Sequence, residues 1–217
     1  LLSAGGCTSF ELFRRWVVSD KKILELEKAT KQAELQQLKK QINPHFLFNM
    51  LNNANILVKD APDEASQILE KLDNLLRYQL NDSTRREVFL TADIQFLTSF
   101  LELEKVRRDH FEYTIFQEGN MENICIPPLL FIPFVENAVK HNLDSDNLSY
   151  VHLYFSVHNK QLTFRCENSK PRVPVKREGG IGLANVKRRL DLLYESRYTL
   201  QIEDKETTYN VNLHLNL

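Results

Sequence analysis

The chain has 217 residues, enough to bury a substantial core, and this length predicts one or two domains of ordinary size. Its 28 basic and 29 acidic residues give a formal net charge of −1, so no global charge bias points to nucleic acid. Three scattered cysteines and no apolar run of membrane-spanning length predict a soluble protein of a reducing compartment, without a disulfide framework or a cysteine metal cluster.

The N-terminal part predicts a long helix. Residues 1–10 are set aside as either an added leader or a membrane-proximal segment. From Glu11 to about Leu57 the chain is rich in Lys, Glu, Gln and Leu, and its leucines recur at steps of three and four. This spacing favours a helix entering a coiled coil, with a solvated helix packed on its own domain as the alternative. Pro44 predicts a bend or break just before it.

A second amphipathic helix is predicted from about Asp63 to Leu80. Together with the first, through the short stretch 58–62, it makes an antiparallel hairpin whose apolar stripe needs a cover. We therefore expect residues 11–86 to form a homodimer through a four-helix bundle. The stripe consists of Ala65, Ile68, Leu69, Leu72, Leu75, Leu76 and Gln79.

The remaining residues, 87–217, predict a second domain of α+β class, with helices on one face of a mixed sheet. Apolar alternation marks its strands, and longer amphipathic stretches mark its helices. The predicted helices are 90–109, 129–141 and 183–194, and the predicted strands are 111–117, 150–157, 161–166, 199–203 and 208–215.

The sharpest motif is Gln41-Ile42-Asn43-Pro44-His45-Phe46-Leu47-Phe48-Asn49. A histidine among such apolar neighbours is ordinarily a satisfied core side chain. If Phe48 and Leu51 face the bundle, however, helical spacing stacks His45 and Asn49 on one outward side. A neutral, accessible imidazole nitrogen is a usable nucleophile toward a phosphoryl group, and Asn49 is then placed to orient a water.

This string resembles the phosphoacceptor box of LytS-like sensor histidine kinases, whose members carry Pro, His and the run Phe-Leu-Phe-Asn in this order. The resemblance implies that His45 is autophosphorylated from ATP and that the phosphoryl group passes to an aspartate of a response regulator. It implies that Asn49 assists dephosphorylation of that partner. It also implies that this chain is the cytoplasmic region of a bacterial inner-membrane protein, anchored by upstream segments. Phe46 stands where many histidine kinases place an acid, which leaves the general base open.

A second motif runs from Ile126 to Asn142. On a helix, Asn137, Lys140 and His141 share one face, where an amide oxygen suits Mg²⁺ and an ammonium suits phosphates. A helix capped by polar residues is the alternative. The motif is similar to the N-box of the GHKL-type ATP-binding domain, an α/β sandwich. That similarity implies Asn137 as a Mg²⁺ ligand and Lys140, His141 and Asn142 as phosphate-side contacts.

A third motif is the glycine cluster Gly179-Gly180-Ile181-Gly182-Leu183-Ala184-Asn185, which opens a helix. Glycines allow the backbone to approach a phosphate, and a helix N-terminus contributes free N–H donors; a plain turn is the alternative. The cluster resembles the kinase G-box, which implies nucleotide contacts from Gly180, Gly182, Leu183 and Asn185.

Between these motifs, residues 165–169 end a strand where the family usually has Asp-Asn-Gly. The resemblance implies that Glu167 replaces the aspartate that hydrogen-bonds the adenine amino group, and that Asn168 also binds the nucleotide. Ser169 replaces a glycine. The basic residues between 170 and 177 predict a short lid over the nucleotide, or equally a solvated basic loop.

Two other functions stay open. The departures at Glu167 and Ser169 favour a catalytically silent dimeric scaffold of the same fold. A gyrase-type Mg-ATPase switch is the second alternative. Pro133 speaks against it, because the hydrolytic members keep a glutamate at this position.

Overall fold

The structure is a computed structural model that describes residues 21–22, 25, 44–142, 148–171 and 181–217. The chain divides into two compact units, residues 1–47 and residues 48–217. The predicted coiled coil upstream of Pro44 lies almost entirely outside the described residues, as do residues 1–10. The predicted domain boundary between residues 86 and 87 stays a prediction.

Two helices open the continuous part of the structure. Helix α1 spans Pro44–Asp60 and helix α2 spans Pro62–Arg77. Pro62 occupies the first turn of α2, where a backbone N–H has no partner within the helix. The two acidic residues after it interact favourably with the positive end of the helix dipole. Four residues of the predicted stripe are buried on α2: Ala65, Ile68, Leu72 and Leu75.

The connection between α1 and α2 is shorter than predicted. Residues 58–60 continue α1, and the Ala61 N–H still donates to the Leu57 carbonyl at 2.8 Å. Ala61 alone leaves the helical conformation, with φ −144° and ψ 69°. The reason is local: the Pro62 ring disfavours the helical conformation only of the residue directly before it.

Helix α3, Leu90–Arg107, is buried on several sides, and α2 packs against it. Lys71 Nζ of α2 lies 2.9 Å from Glu102 Oε2 of α3. A short π-helix, Tyr78–Asp82, follows α2, and strand β1, Val88–Phe89, precedes α3. No helix in the described ranges combines the length and the apolar character needed to cross a lipid bilayer.

The other described elements form a mixed sheet with helices packed on it. The elements are β2 Phe111–Glu118, β3 Cys125–Ile126, helix α4 Ile132–His141, β4 Ser149–His158, β5 Gln161–Ser169, helix α5 Ile181–Tyr194, β6 Tyr198–Asp204 and β7 Thr208–Asn216. Strand β3 pairs antiparallel with β1, whereas β2, β4, β5, β7 and β6 form a five-stranded sheet in that order. Strands β2 and β4 are parallel, and all other neighbours are antiparallel.

The core lies between one face of this sheet and the helices. Phe131 and Phe134, at the start of α4, pack on Phe155 of β4 and Phe164 of β5, with ring centroids 4.5 to 5.8 Å apart. Along β5 the buried residues alternate with more exposed ones, as the pleat of a strand requires. The opposite face of the sheet is therefore polar and accessible. The fold is a mixed α/β arrangement of the kind predicted.

Candidate active site

His45 and Asn49 lie one turn apart at the start of α1. The helix buries Phe46 and Met50, while Phe48 is 64% exposed and Asn49 is half-buried. The imidazole of His45 lies outside the described part of the structure. Its predicted outward orientation therefore stays a prediction.

Helix α4 presents an amide, an ammonium and an imidazole on the side away from the core. Its buried residues include Phe134, Val135, Ala138 and Val139. Asn137 and His141 are half-buried and Lys140 is exposed. The amphipathic pattern of the motif thus leaves an oxygen ligand and a positive charge available on one helix.

The direction of α4 decides which other residues lie near these groups. Phe134, at the start of α4, packs on Phe164 of β5 with ring centroids 5.8 Å apart. At the other end, Asn142 Nδ2 donates to the Tyr150 carbonyl at 3.2 Å, and the Tyr150 N–H donates to Ser169 Oγ at 3.0 Å. Helix α4 and strand β5 therefore run in the same direction. The C-terminal half of α4 lies beside the end of β5.

The side chain of Asn142 makes its hydrogen bonds within the protein. It is fully buried, and its Oδ1 accepts from Arg108 Nη1 at 3.0 Å while its amide donates to Tyr150. Arg108 Nη2 also donates to the Val139 carbonyl at 3.0 Å and lies 3.3 Å from Glu104 Oε2. Burial lowers the pKa of Arg108, and the Glu104 carboxylate opposes that shift. These contacts fasten the end of α4, so the phosphate contact predicted for Asn142 stays a prediction.

Glu167 and Asn168 point to opposite faces of the sheet. Glu167 lies on the open face, where its Oε2 is 2.5 Å from Arg165 Nη2 and its Oε1 accepts from the Tyr150 hydroxyl at 3.4 Å. Asn168 lies on the helix-covered face with Phe164 and is 1% exposed. The nucleotide contacts that the resemblance implies for both residues stay predictions.

The amide of Asn168 is oriented and incompletely satisfied. Its Nδ2 donates to the Ser169 carbonyl at 2.8 Å. Its Oδ1 is buried and has no hydrogen-bond partner within the part of the chain that the structure describes. A buried acceptor without a partner is costly, so this oxygen is suited to receive an N–H group from a ligand.

The glycine cluster leads into α5, as predicted. Gly180 lies outside the described residues, and α5 begins at Ile181, so Gly182 and Leu183 form its first turn. Asn185 is exposed on the same helix. The predicted lid lies mostly outside the described ranges, since residues 172–180 belong to none of them.

Sequence reasoning missed one buried acid. Asp93 of α3 is fully buried, accepts a hydrogen bond from Tyr78 and contacts the segment before α4. A signal for it exists in the sequence, because Asp93 occupies a stripe position between Leu90 and Leu97. A carboxylate at such a position must find partners that only the folded chain supplies.

Comparison with known proteins places the chain in a family. The histidine kinase family model matches residues 33–111, which include His45. The sensor protein LytS of Staphylococcus haemolyticus is 30% identical over 203 residues, which cover 87% of this chain and 35% of that protein. These matches support a LytS-like histidine kinase.

A further relative and a solved domain are also similar to this chain. The sensor histidine kinase/phosphatase LytS of Staphylococcus aureus is 33% identical over 115 residues, 52% of this chain and 20% of that protein. The histidine kinase domain of a blue-light activated kinase from Erythrobacter litoralis EL346 aligns with a TM-score of 0.47 at 17% identity, covering 84% of this chain and 90% of that domain. The chain thus spans about a third or less of the length of these two LytS relatives.

Proposed function

We propose that this chain is the catalytic portion of a sensor histidine kinase of two-component signalling, which uses Mg-ATP to phosphorylate its own His45. One observation carries the proposal. The chain combines a histidine box, inside the region that the histidine kinase model matches, with a helix and a strand end whose polar groups converge. A nucleophile and a nucleotide site in one chain are what autophosphorylation requires.

The base of ATP fits the end of β5. Adenine carries an amino group that donates hydrogen bonds, and the orphaned Oδ1 of Asn168 accepts them. The bond from Asn168 Nδ2 to the Ser169 carbonyl holds the amide so that the oxygen is the atom left free. We therefore assign the adenine contact to Asn168.

The phosphates fit the outward side of α4 and the start of α5. The Asn137 amide oxygen is a suitable Mg²⁺ ligand, and the exposed Lys140 ammonium supplies positive charge beside it. The first turn of α5, with Gly182 and Leu183, contributes free backbone N–H donors. When bound, Mg²⁺ neutralises negative charge on the phosphate oxygens. His141 is close enough along α4 to add a further donor.

His45 accepts the γ-phosphoryl group on a neutral imidazole nitrogen and then passes it to an aspartate of a response regulator. The segment between α2 and α3 gives the hinge that this transfer needs, in the predicted stretch 81–87. Asn49, one turn from His45, orients a water for the phosphatase reaction, in which that water hydrolyses the aspartyl phosphate of the regulator and releases inorganic phosphate; a relative is named a sensor histidine kinase/phosphatase. The full-length protein is held in the bacterial inner membrane by upstream segments.

The active form is a homodimer built from α1 and α2. Four large apolar side chains on α1 are exposed in the single chain: Phe48, Leu51, Ile56 and Val58. Helical spacing gathers Phe48, Leu51 and Val58 on one side of α1, away from the buried Phe46 and Met50. A second copy that covers this side removes apolar surface from water and completes a four-helix bundle.

The test is incubation with γ-labelled Mg-ATP, followed by measurement of acid-labile label on the protein. We expect label on the parent and on the control His158→Gln, whose exposed histidine is the last residue of β4. We expect none on His45→Gln, which lacks the nucleophile, and at least about a hundredfold less on Asn137→Ala. Label that persists on the His45 variant would overturn the site, and steady phosphate release without label would favour the ATPase switch.

A further inference from the structure

A buried hydrogen-bond network joins four segments of the chain around Asp93. The Oδ1 atom of Asp93 accepts from the Tyr78 hydroxyl at 2.5 Å and from the Leu129 N–H at 3.0 Å. Asp93 is fully buried, and Tyr78 is almost fully buried. None of these residues belongs to the predicted nucleotide contacts, so the network is an addition to the site.

The backbone before α4 is held from two sides. On one side Asp93 accepts the Leu129 N–H, and on the other Arg189 of α5 donates to two carbonyls. Arg189 Nη1 lies 2.9 Å from the Leu129 oxygen, and Nη2 lies 2.5 Å from the Pro128 oxygen. Leu129 has φ +55°, a left-handed conformation that a leucine adopts only when its surroundings impose it. Asp93 and Arg189 together form a clamp on this backbone, and the clamp therefore maintains the turn.

The clamp lies at the entry to the candidate nucleotide site. Helix α4 begins at Ile132, directly after the clamped turn, and carries Asn137 and Lys140 further along. Arg189 belongs to α5, whose first turn contains Gly182. A change in the turn at Leu129 thus changes the direction of α4 relative to α5, and with it the spacing of the two groups of phosphate contacts.

Tyr78 connects the clamp to the end of helix α2, which directly precedes it. It is the first residue of the π-helix that follows α2, and its ring stacks on Phe96 of α3 with centroids 4.7 Å apart. A π-helical turn is rare and marks a place where a helix changes register. Any rotation of α2 that moves Tyr78 alters the hydrogen bond to Asp93.

We infer that Asp93 is a positioning residue: through the Leu129 turn it sets the geometry of α4, and through Tyr78 it makes that geometry depend on the segment after α2. This inference rests on the proposed kinase function. We therefore expect the network to affect phosphoryl transfer much more than nucleotide binding. Loosening the network leaves the nucleotide contacts of the protein in place but misaligns them for phosphoryl transfer, which is sensitive to small displacements.

The test compares two tyrosines that make like contacts, one buried and one on the open face of the sheet. Tyr78 stacks on Phe96 and donates to Asp93, and Tyr154 stacks on Phe116 and donates to Glu118 on the open face of the sheet. We expect Tyr78→Phe to lower the autophosphorylation rate at saturating ATP about tenfold, with the Kd for ATP changed less than about twofold. We expect Tyr154→Phe to change neither. Equal behaviour of the two variants would overturn the inference.

Two further measurements separate positioning from plain destabilisation. If Tyr78 acts through Asp93, adding Tyr78→Phe to Asp93→Ala causes no further loss of rate, whereas multiplied losses would contradict the inference. Hydrogen exchange of residues 129–141, followed without nucleotide, should be faster in Tyr78→Phe than in Tyr154→Phe. This second measurement decides the inference even if the parent takes no label, which would defeat only the proposed function. It also decides it if Asp93→Ala does not fold.

Discussion

Asn168 and Glu167 are neighbours on β5, yet they lie on opposite faces of the sheet and have different surroundings. Asn168 is buried on the helix-covered face, and its Oδ1 has no partner among the residues that the structure describes, whereas Glu167 is paired with Arg165 on the open face. The same division separates Phe164, which is fully buried, from Phe116, which is 60% exposed. The comparison teaches that one step along a strand moves a residue from the buried face of the sheet to its open face.

The largest expected difference between the faces is in stability. Phe164→Ala empties a site packed against Phe131, Phe134 and Phe155 and should lower the free energy of unfolding by about 3–5 kcal/mol. Phe116→Ala, on the open face, should cost about 1 kcal/mol or less. Urea denaturation of both variants measures the difference. Similar losses would mean that the open face is covered in solution.

The next difference concerns two acids that accept from tyrosines, buried Asp93 and exposed Glu118. Burial raises the pKa of Asp93 to about 6 from an ordinary 3.8, against bonds from Tyr78 and Leu129 that lower it. The folded protein therefore holds this proton more tightly than the unfolded chain. The stabilisation is complete below about pH 3.8 and is lost as the pH rises through 6.

Urea denaturation at several pH values tests this. Between pH 4 and 7 the parent should lose up to about 2 kcal/mol relative to Asp93→Asn, which has no proton to release. Glu118→Gln serves as the control and should follow the parent. A parent and an Asp93→Asn variant with parallel pH profiles would show that the carboxyl does not titrate in this range.

The smallest of the three differences is in nucleotide affinity and sharpens the choice between Asn168 and Glu167. Asn168→Leu keeps the branched outline of the side chain but removes the acceptor, so the Kd for ATP should rise about tenfold. Glu167→Gln should change it less than about twofold, since the side chain faces away from α4. Isothermal titration with ATP measures both values. The reverse order would return the adenine contact to Glu167.

Local patterns predicted most elements of the fold. Alternation on β4, β5 and β7 and amphipathic spacing on α2 and α5 place these elements within a few residues of their observed ends, because side-chain period follows backbone geometry. The predicted connection over residues 58–62 is longer than the one in the structure. Its helix continues to Asp60 because only the residue before a proline is strongly restricted.

The candidate site was predictable where a motif lies on one element and not where several elements meet. Asn137 and Lys140 share α4, so helical spacing sufficed. The contacts of Asn142 with Arg108 and of Asp93 with Leu129 join residues far apart in the chain, and no local pattern encodes them. The resemblance also put Glu167 at the adenine, which stays a prediction; only the folded sheet shows that this side chain lies on the face opposite Asn168.

By itself, the sequence determined the helix that bears His45, the polar side of α4 and the positions of the strands along the chain, since each depends on spacing within a short stretch of chain, and its motifs carried the resemblance to the kinase family. Tertiary structure alone decided the order of the strands in the sheet and the contact of Asp93 with the turn at Leu129. It also decided that Asn142 is hydrogen-bonded within the protein and that Asn168 Oδ1 has no partner among the described residues. The physical reason is desolvation. A buried polar group acquires its role from the partners that packing brings within hydrogen-bond distance.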